Sequence, residues 1–464
     1  MPRSNKTYDE IAIGDSATIT RILSANDLLV FAHASGNFNP IHIPDLDDGG
    51  SHNDVVIAPS MWAASLISAV LGNILPGPGT LYSKQSLEFV GRTHVGDELG
   101  VTVTVREKRS GNIVILDTKV TKNDVELVID GYAEVFAPTE KILVADAQLP
   151  ALSITRHTHF NQLINRAAAL EPLRVAVVAP EAEHALNGAL EAAEHGIIKP
   201  ILIGRPAHIE AAARITGRDI LKYEMIPTNS THKAASVAVE LIHSGKADAI
   251  MKGHLHTDEL LHHVVKEDGG LRGSRRLSHV FVMDVPGLDQ MLLVSDAAIN
   301  ISPGLEDKVD ITQNAIDVAL SLGLNKPRVG ILSAVETVTP KIPSTLDAAI
   351  LSKMAERGQI MGGIVDGPLA MDNAIDVEAA KTKGIVSLVA GRADILIAPN
   401  IEAGNMLAKE LIFIAHAEGA GIVIGARAPI ILTSRADGEK TRLASCAIAS
   451  LYRAWQNDIV TAKT

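Results

Sequence analysis

The 464-residue chain contains one cysteine, Cys446. That excludes an intramolecular disulfide framework and any Cys-x-x-Cys metal or redox motif, and it points to a reducing compartment. Aromatic residues make up 3% of the chain, too few for the stacking platforms that hold single-stranded nucleic acid. Positive charge is not in surplus: 42 Lys and Arg stand against 54 Asp and Glu, a formal net charge of −12. Polyanion binders carry a basic face, and no dense Lys/Arg run occurs here, so nucleic acid is not expected as a partner. No uninterrupted apolar run reaches the roughly 18 residues of a membrane span, so no membrane partner is expected either. Residues 1–30 carry Asp9, Glu10, Asp15 and Asp27 and no apolar stretch of signal-peptide type. The chain therefore reads as cytoplasmic. The commonest nucleotide and metalloprotease signatures are also missing: there is no GxxxxGK[ST] loop, no GxGxxG after a strand and no HExxH.

What is present is an ordinary globular composition, 47% hydrophobic and 21% charged, enough to bury sizeable cores in about three domains. The pattern changes near residue 150. Before it, one apolar helix is predicted over 60–75, stopped by Pro76-Gly77-Pro78-Gly79, and alternating runs over 99–106, 113–120 and 125–135 read as antiparallel strands around that helix. Residues 141–156 read as a linker. Beyond it, short apolar strands alternate with amphipathic helices, the signature of βαβ units and a mostly parallel sheet.

Several predicted strands end in small polar sequence. Lys252-Gly253 closes one; Asp296 to Asn300, Val365-Asp366-Gly367-Pro368 (read as a sharp turn) and Glu402-Ala403-Gly404-Asn405 mark others. In open α/β sheets, ligands bind beyond the carboxyl ends of the strands, so these exits are expected to line a pocket. The sharpest element is Thr433-Ser434-Arg435-Ala436-Asp437, where an apolar strand runs into a hydroxyl, a guanidinium and a carboxylate. Arg435 suits bidentate binding of a phosphoryl group, and Ser434 suits a thiol or a developing oxyanion; a salt-bridged helix cap is the other reading. His254, His256, His262 and His263 come closest to a metal cluster, but no cysteine or clear carboxylate partner completes a site, so no metal is assigned. In the first half, Asn37-Phe38-Asn39-Pro40-Ile41-His42 places His42 just after a rigid turn, a suitable mount for proton transfer.

Over about residues 10–137, that segment together with Ser60-Met61, Leu75 to Gly79, Ser86 to Phe89 and Val95 to Leu99 resembles the MaoC-like, R-specific enoyl-CoA hydratases of the hotdog fold. The resemblance implies that an aspartate and a histidine spaced as Asn37 and His42 activate water for addition to an enoyl thioester. Here the aspartate position holds Asn37, and Ala58-Pro59-Ser60-Met61 departs from the family's His-Gly-Met. An amide does not accept a proton at neutral pH, which favours a module that binds acyl-CoA or dimerises over a competent hydratase.

Over about residues 160–455 the chain closely resembles the phosphate acetyl/butyryltransferase family. The matching blocks are Lys252-Gly253, Asp296 to Asn300, Ser333 to Glu336, Arg357 to Ile360, Val365 to Pro368, Glu402 to Asn405 and Thr433 to Asp437. The resemblance implies an isocitrate-dehydrogenase-like fold of two α/β domains, one inserted in the other, with a cleft between them. It also implies reversible acyl transfer between coenzyme A and inorganic phosphate without a covalent enzyme intermediate and without a bound cofactor. By the same resemblance Ser434 handles the thiol, Arg435 holds phosphate and Asp437 is a candidate base, while Lys252, Gly253, Thr257, Asn300, Asp366, Gly404 and Asn405 are expected at the substrates. Two departures stand out. The acetyl branch's base position falls near Thr441, and its arginine after the first strand-exit glycine has no counterpart between Gly253 and Val265.

The expected organisation is thus an α+β hotdog domain over 1–140, a linker over 141–156 and an α/β transferase over 157–464 with a subdomain of about 286–424 inserted. Expected partners are acyl-CoA, acyl phosphate, phosphate and a second copy of the chain. A non-catalytic acyl-CoA-binding or assembly protein with eroded sites is the alternative.

Overall fold

A computed structural model describes residues 3–44, 56–123, 125–144, 159–432 and 438–463. The chain divides into two compact units, Met1–Ile154 and Thr155–Thr464.

The strands of the first unit are β1 (Arg3–Ser4), β2 (Ser16–Ile22), β3 (Leu81–Phe89), β4 (Glu98–Arg109), β5 (Ile113–Lys122), β6 (Glu126–Phe136) and β7 (Leu143–Val144). Among the described residues, β2 to β6 form one antiparallel sheet in the order β2-β4-β5-β6-β3, and β1 pairs with β7. Residues Ser60–Asn73 form the predicted helix, which carries no charged residue and buries Trp62, Ala63, Ala64, Leu66, Ile67, Val70 and Leu71. Its serines leave one narrow stripe exposed at Ser60, Met61, Ser65 and Ser68, and the rest of its circumference needs apolar cover. The sheet supplies it with the alternate residues Leu99, Val101, Val103 and Val105 of β4 and Val114, Leu116 and Val120 of β5. This is the hotdog arrangement expected from the sequence. Edge strand β3 escaped the pattern reading because Lys84, Gln85 and Glu88 interrupt its alternation; it is defined by its pairing with β6.

The second unit holds β8 (Leu173–Val178), β9 (Ile198–Gly204), β10 (Glu224–Pro227), β11 (Ala249–Lys252), β12 (Ser278–Asp284), β13 (Leu292–Ser295), β14 (Arg328–Leu332), β15 (Ile364–Leu369), β16 (Ile395–Ile397), β17 (Glu418–Ile424) and β18 (Ile430–Ile431). Among the described residues they make one sheet, ordered β10-β9-β8-β11-β18-β17-β12-β13-β16-β14-β15. The first five strands in that order run parallel, as do the last four. Between them β17 and β12 pair antiparallel with each other and with their outer neighbours. Three successive reversals leave the two parallel sets pointing in opposite directions.

One face of this sheet is covered by a continuous apolar cluster that includes helices His159–Ala168, Glu183–Glu194, Leu305–Ser321 and Glu439–Lys463. On the other face the cover is split into two clusters. One gathers helices Thr231–His243 and Thr257–Val265 against β8, β9 and β11; the other gathers Met283, Leu292, Val294, Leu396 and helix Ile401–Phe413. The chain leaves the first half after β11 and returns to it at β18, which pairs with β11. The excursion therefore begins at β12, Ser278–Asp284.

One expectation fails. Residues 365–370, read as a sharp turn, belong largely to β15, an edge strand whose Asp366 lies opposite Gly330. Gly367-Pro368 suggested a turn, but proline is tolerated on an edge strand because one side of its backbone has no ladder to complete.

In the first unit, a β-carbon on Gly131 would lie 2.0 Å from the Ser86 carbonyl oxygen on β3. Gly131→Ala should push β3 off β6 and cost about 1–3 kcal/mol, which differential scanning calorimetry would register as a lowered transition of that unit.

Candidate active site

The site is built where the two apolar clusters of the split face meet. Ile299 and Leu432 both pack against the cluster containing Leu255, Leu271 and Leu277, while Ala297 belongs to the neighbouring one. The segment after Gly253, the turn from Asp296 to Asn300 and the end of β18 therefore share one apolar floor. They meet across the sheet face, because the reversed strand directions send the exits of β11 and β13 opposite ways. Ser434, Arg435 and Asp437 follow Leu432 directly but lie outside the described residues.

The turn after β13 is organised by one carboxylate. Asp296 is buried, at 2% exposure, and accepts from the backbone N–H groups of Ala298 at 2.9 Å, Ile299 at 3.1 Å and Asn300 at 3.1 Å. The Asn300 side-chain amide donates to Asp296 and to the Leu277 carbonyl at 2.8 Å, and its Oδ1 accepts from Arg276 Nε at 2.6 Å. Both ends of that buried amide are thus occupied, which makes Asn300 a brace between turn and guanidinium. Arg276 is further held by Asp307 at 3.1 Å and keeps its side chain 54% exposed. A half-exposed, fixed guanidinium suits a phosphoryl or carbonyl oxygen.

Gly404 and Asn405, in helix Ile401–Phe413, hold the turn from the other side. A β-carbon on Gly404 would stand 2.3 Å from the Asp296 carbonyl oxygen, so only glycine allows this approach; Asn405 Nδ2 donates to the Ala297 carbonyl at 3.1 Å. On the opposite side, Lys252 Nζ donates to the carbonyls of Gly253 and Leu255, both at 3.4 Å. Gly253 is fixed by close contact, since an added β-carbon would meet the Val178 carbonyl oxygen at 2.3 Å, and Thr257 opens helix Thr257–Val265. Asp366 stands apart on the sheet edge, with Oδ1 accepting from the Gly367 N–H at 2.8 Å.

His279, on β12, lies between these groups. Its ring sits 4.3 Å from the Phe281 ring, and Gly421, opposite Phe281 on β17, leaves room for it, because a β-carbon there would overlap the His279 ring at 2.6 Å. The imidazole is buried with Nδ1 unpartnered among the described residues. Burial pushes its pKa from 6.5 down to about 4, against the opposing pull of Asp296. It is neutral at physiological pH. Cys446 is fully buried, and burial pushes its thiol up to about 12, so it offers no thiolate. Of the histidines weighed as metal ligands, His263 makes ring contacts with His232 at 4.2 Å and His262 at 5.8 Å, and His254 with His184 at 6.3 Å. Among the described residues no group of three or more His, Cys, Asp or Glu is placed to hold a metal ion.

The first unit has its own candidate site. Residues Pro40–His42 form a single 3-10 turn after Asn39, whose side chain accepts from the Ile41 N–H. His42 Nδ1 lies 2.6 Å from the Ile57 carbonyl oxygen. A carbonyl only accepts, so Nδ1 carries the proton and Nε2 is left as the basic nitrogen. Asn37 is part-buried, and its Oδ1 accepts from the Asn39 N–H at 3.2 Å.

The family model described as "Phosphate acetyl/butaryl transferase" matches residues 217–450. The chain belongs to this family. The phosphate acetyltransferase of Rhizobium meliloti is 57% identical over 295 residues, 64% of this chain and 93% of that protein. A crystal structure of a branched-chain phosphotransacylase from Enterococcus faecalis is 28% identical, with a TM-score of 0.52 over 61% of this chain and 99% of its own. The R-hydratase PhaJ1 from Pseudomonas aeruginosa is 38% identical over 33% of this chain and 99% of its own, with a TM-score of 0.32. In this transferase, Asp296, Arg276 and His279 are the site groups that the sequence reading assigned no role. Asp296 had a visible signal, a carboxylate at a strand exit four residues before an asparagine; Arg276 and His279 had none, because only the fold brings them to Asn300 and Asp296.

The lowered pKa of His279 has a stability consequence. Between about pH 4 and 6.5 the unfolded chain takes up a proton there that the folded chain does not. This contribution is complete above pH 6.5 and is lost as pH falls towards 4. His279→Gln should flatten the fall in thermal midpoint between pH 6.5 and 4.5, measured by circular dichroism; an unchanged slope would remove His279 from the account.

Proposed function

We propose that the second unit transfers an acetyl or butyryl group reversibly between coenzyme A and inorganic phosphate, and that the hotdog unit fused to it binds acyl-CoA. What carries the transferase reading is the identity with the Rhizobium meliloti enzyme across 93% of that protein's length. In the reaction the CoA sulfur attacks the acyl phosphate carbonyl, the C–S bond forms, the C–O bond to phosphorus breaks and phosphate leaves with its electron pair. The thiol proton passes to a base, for which Asp437 is the candidate. Ser434 is assigned to the thiol and Arg435 to the phosphate; Arg276, braced by Asn300 and Asp307, supports the reading as a second fixed cation at the seam.

The test is CoA release from acetyl-CoA and butyryl-CoA with and without inorganic phosphate. Phosphate-dependent release is expected, with a loss of roughly a hundredfold or more in Arg435→Ala, in line with removal of a charge-bearing contact. Binding of acyl-CoA without phosphate-dependent turnover would replace this reading with that of a binding protein. The same assay gives the acyl preference.

In the hotdog unit, the amide of Asn37 has no proton-accepting lone pair of useful basicity, so His42 works without its acidic partner. Asn37→Asp should raise hydration of crotonyl-CoA, followed by loss of enoyl absorbance, by about tenfold or more. A folded variant with no gain would show that the pocket, and not the missing carboxylate, limits the chemistry. Among the described residues strand β3 is an edge of its sheet and bears exposed Leu81, Tyr82 and Phe89, a surface that natural proteins cover; pairing with a second copy is the assembly assigned to it.

A further inference from the structure

At the exits of β8, β9 and β11 lies a cation that neither the sequence motifs nor the reaction described above uses. Arg205, the residue after β9, is clamped on the carboxylate of Glu181. Its backbone N–H donates to Oε1 at 2.8 Å, its Nε to Oε2 at 2.9 Å, and its Nη2 to the same Oε2. The Glu181 side chain is 1% exposed, whereas that of Arg205 is 40% exposed. The buried partner is the carboxylate, and its role is to aim the guanidinium: one edge is fixed inward, and Nη1 has no partner among the described residues. Burial alone would raise the Glu181 pKa, but the Arg205 hydrogen bonds outweigh it and hold the carboxyl below its ordinary value.

The mount is rigid. Ala179, between Arg205 and Gly253, has φ of +49°, a left-handed conformation uncommon outside glycine. It is held there by its N–H on the Ile203 carbonyl at 2.7 Å and by its own carbonyl, which accepts from Glu181 at 2.8 Å and His254 at 2.7 Å. A β-carbon on Gly253 would strike that carbonyl oxygen at 2.4 Å. The three exits are therefore locked side by side, with Arg205 at one end and Lys252-Gly253 at the other.

Distance decides which anion this cation serves. Strand β9 lies two strands from β11 and three from β18, about 10 and 14 Å away at the usual spacing. On the transferase reading inorganic phosphate lies within bonding range of the thioester carbon and is assigned to Arg435, four residues after β18 in sequence, so it is not the anion assigned to Arg205. Coenzyme A carries its phosphates at the end remote from its thiol, on the scale that separates Arg205 from the end of β18. We propose that Arg205, oriented by Glu181, binds a phosphate group at the nucleotide end of coenzyme A. This rests on the transferase reading and adds to it a recognition residue outside the family's matching blocks.

The experiment compares CoA, dephospho-CoA (no 3′-phosphate) and pantetheine (no phosphate) as acyl acceptors from acetyl phosphate. Three full-length proteins are used: wild type, Arg205→Gln and the double variant Arg205→Gln/Glu181→Gln. The double variant leaves no buried carboxylate without a partner, so it separates lost folding from lost recognition. Both variants are expected to raise KM for CoA roughly ten- to a hundredfold while leaving KM for pantetheine where it was. Convergence of CoA and dephospho-CoA in the variants would assign Arg205 to the 3′-phosphate; an equal rise for both would assign it to the pyrophosphate. Calorimetric titration with CoA, which needs no turnover, should show the same loss of affinity. Unchanged KM and affinity for CoA in the double variant would overturn the proposal. So would an equal loss with CoA and pantetheine, which would make Arg205 structural. Absence of phosphate-dependent turnover in wild type would strike the transferase reading, and the titration would still decide on Arg205.

Discussion

The second unit depends on one constraint: a single sheet in which strand direction reverses. Parallel strands linked by crossovers bury both faces under helices, and a sheet built only that way would gather its ligand loops along one carboxyl edge. Here the antiparallel strands β17 and β12 join two parallel sets of opposite sense. The helical cover of one face remains continuous while that of the other divides, and the division is where the functional loops meet. Gly421, which leaves room for the His279 ring, belongs to that same central pair of strands. The seam is thus a consequence of topology before it is a matter of side chains.

Within the seam, rigidity comes from buried polar groups that satisfy one another. A buried amide or carboxylate without partners costs about 1–3 kcal/mol or more, so the exchange among Asp296, Asn300, Leu277 and Arg276 is stable only when complete. Completeness leaves Arg276 held at two points, Asn300 and Asp307. Glu181 and Arg205 reach a similar result at the exits of β8 and β9 by direct contact, with the acid's side chain buried and the base presented. In both places the sequence contributes ordinary polar and charged residues, and a buried group, the Asn300 amide in one and the Glu181 carboxylate in the other, orients an exposed guanidinium.

Much of this architecture was legible in the sequence. The charge-free helix Ser60–Asn73, the alternation of β4 and β5 and the apolar strands of the second unit follow from hydrophobic period and turn residues, which are local. Three kinds of feature were not local. The edge strands β3 and β15 carry polar residues or proline that an inner strand would not, so a pattern tuned to buried strands passes over them. The reversal at β17 and β12 depends on which strands become neighbours, and no stretch of sequence states that. Two of the partners of Asn300, Arg276 and Leu277, lie more than twenty positions upstream; the sequence suggests Asn300 as a contact to substrate, whereas both ends of its amide are taken. Gly404 was legible as a residue of the site, but its reason, the Asp296 carbonyl against which it packs, belongs to the fold.

The chemistry of the lone cysteine bears on the order of bond changes in the proposed transfer. A covalent route through the protein needs a nucleophile that is both reachable and ionised. Cys446 is neither: it sits on helix Glu439–Lys463 within the continuous apolar cluster, and burial pushes its thiol up to about 12. Direct attack by the CoA sulfur asks less of the protein. It requires two substrates held in line and charge stabilised as it develops, so the catalytic contribution is positional and electrostatic. A seam of locked turns and aimed guanidinium groups, with a neutral imidazole on its floor, is suited to that task, and it explains why the scaffold invests its buried polar contacts in holding loops still.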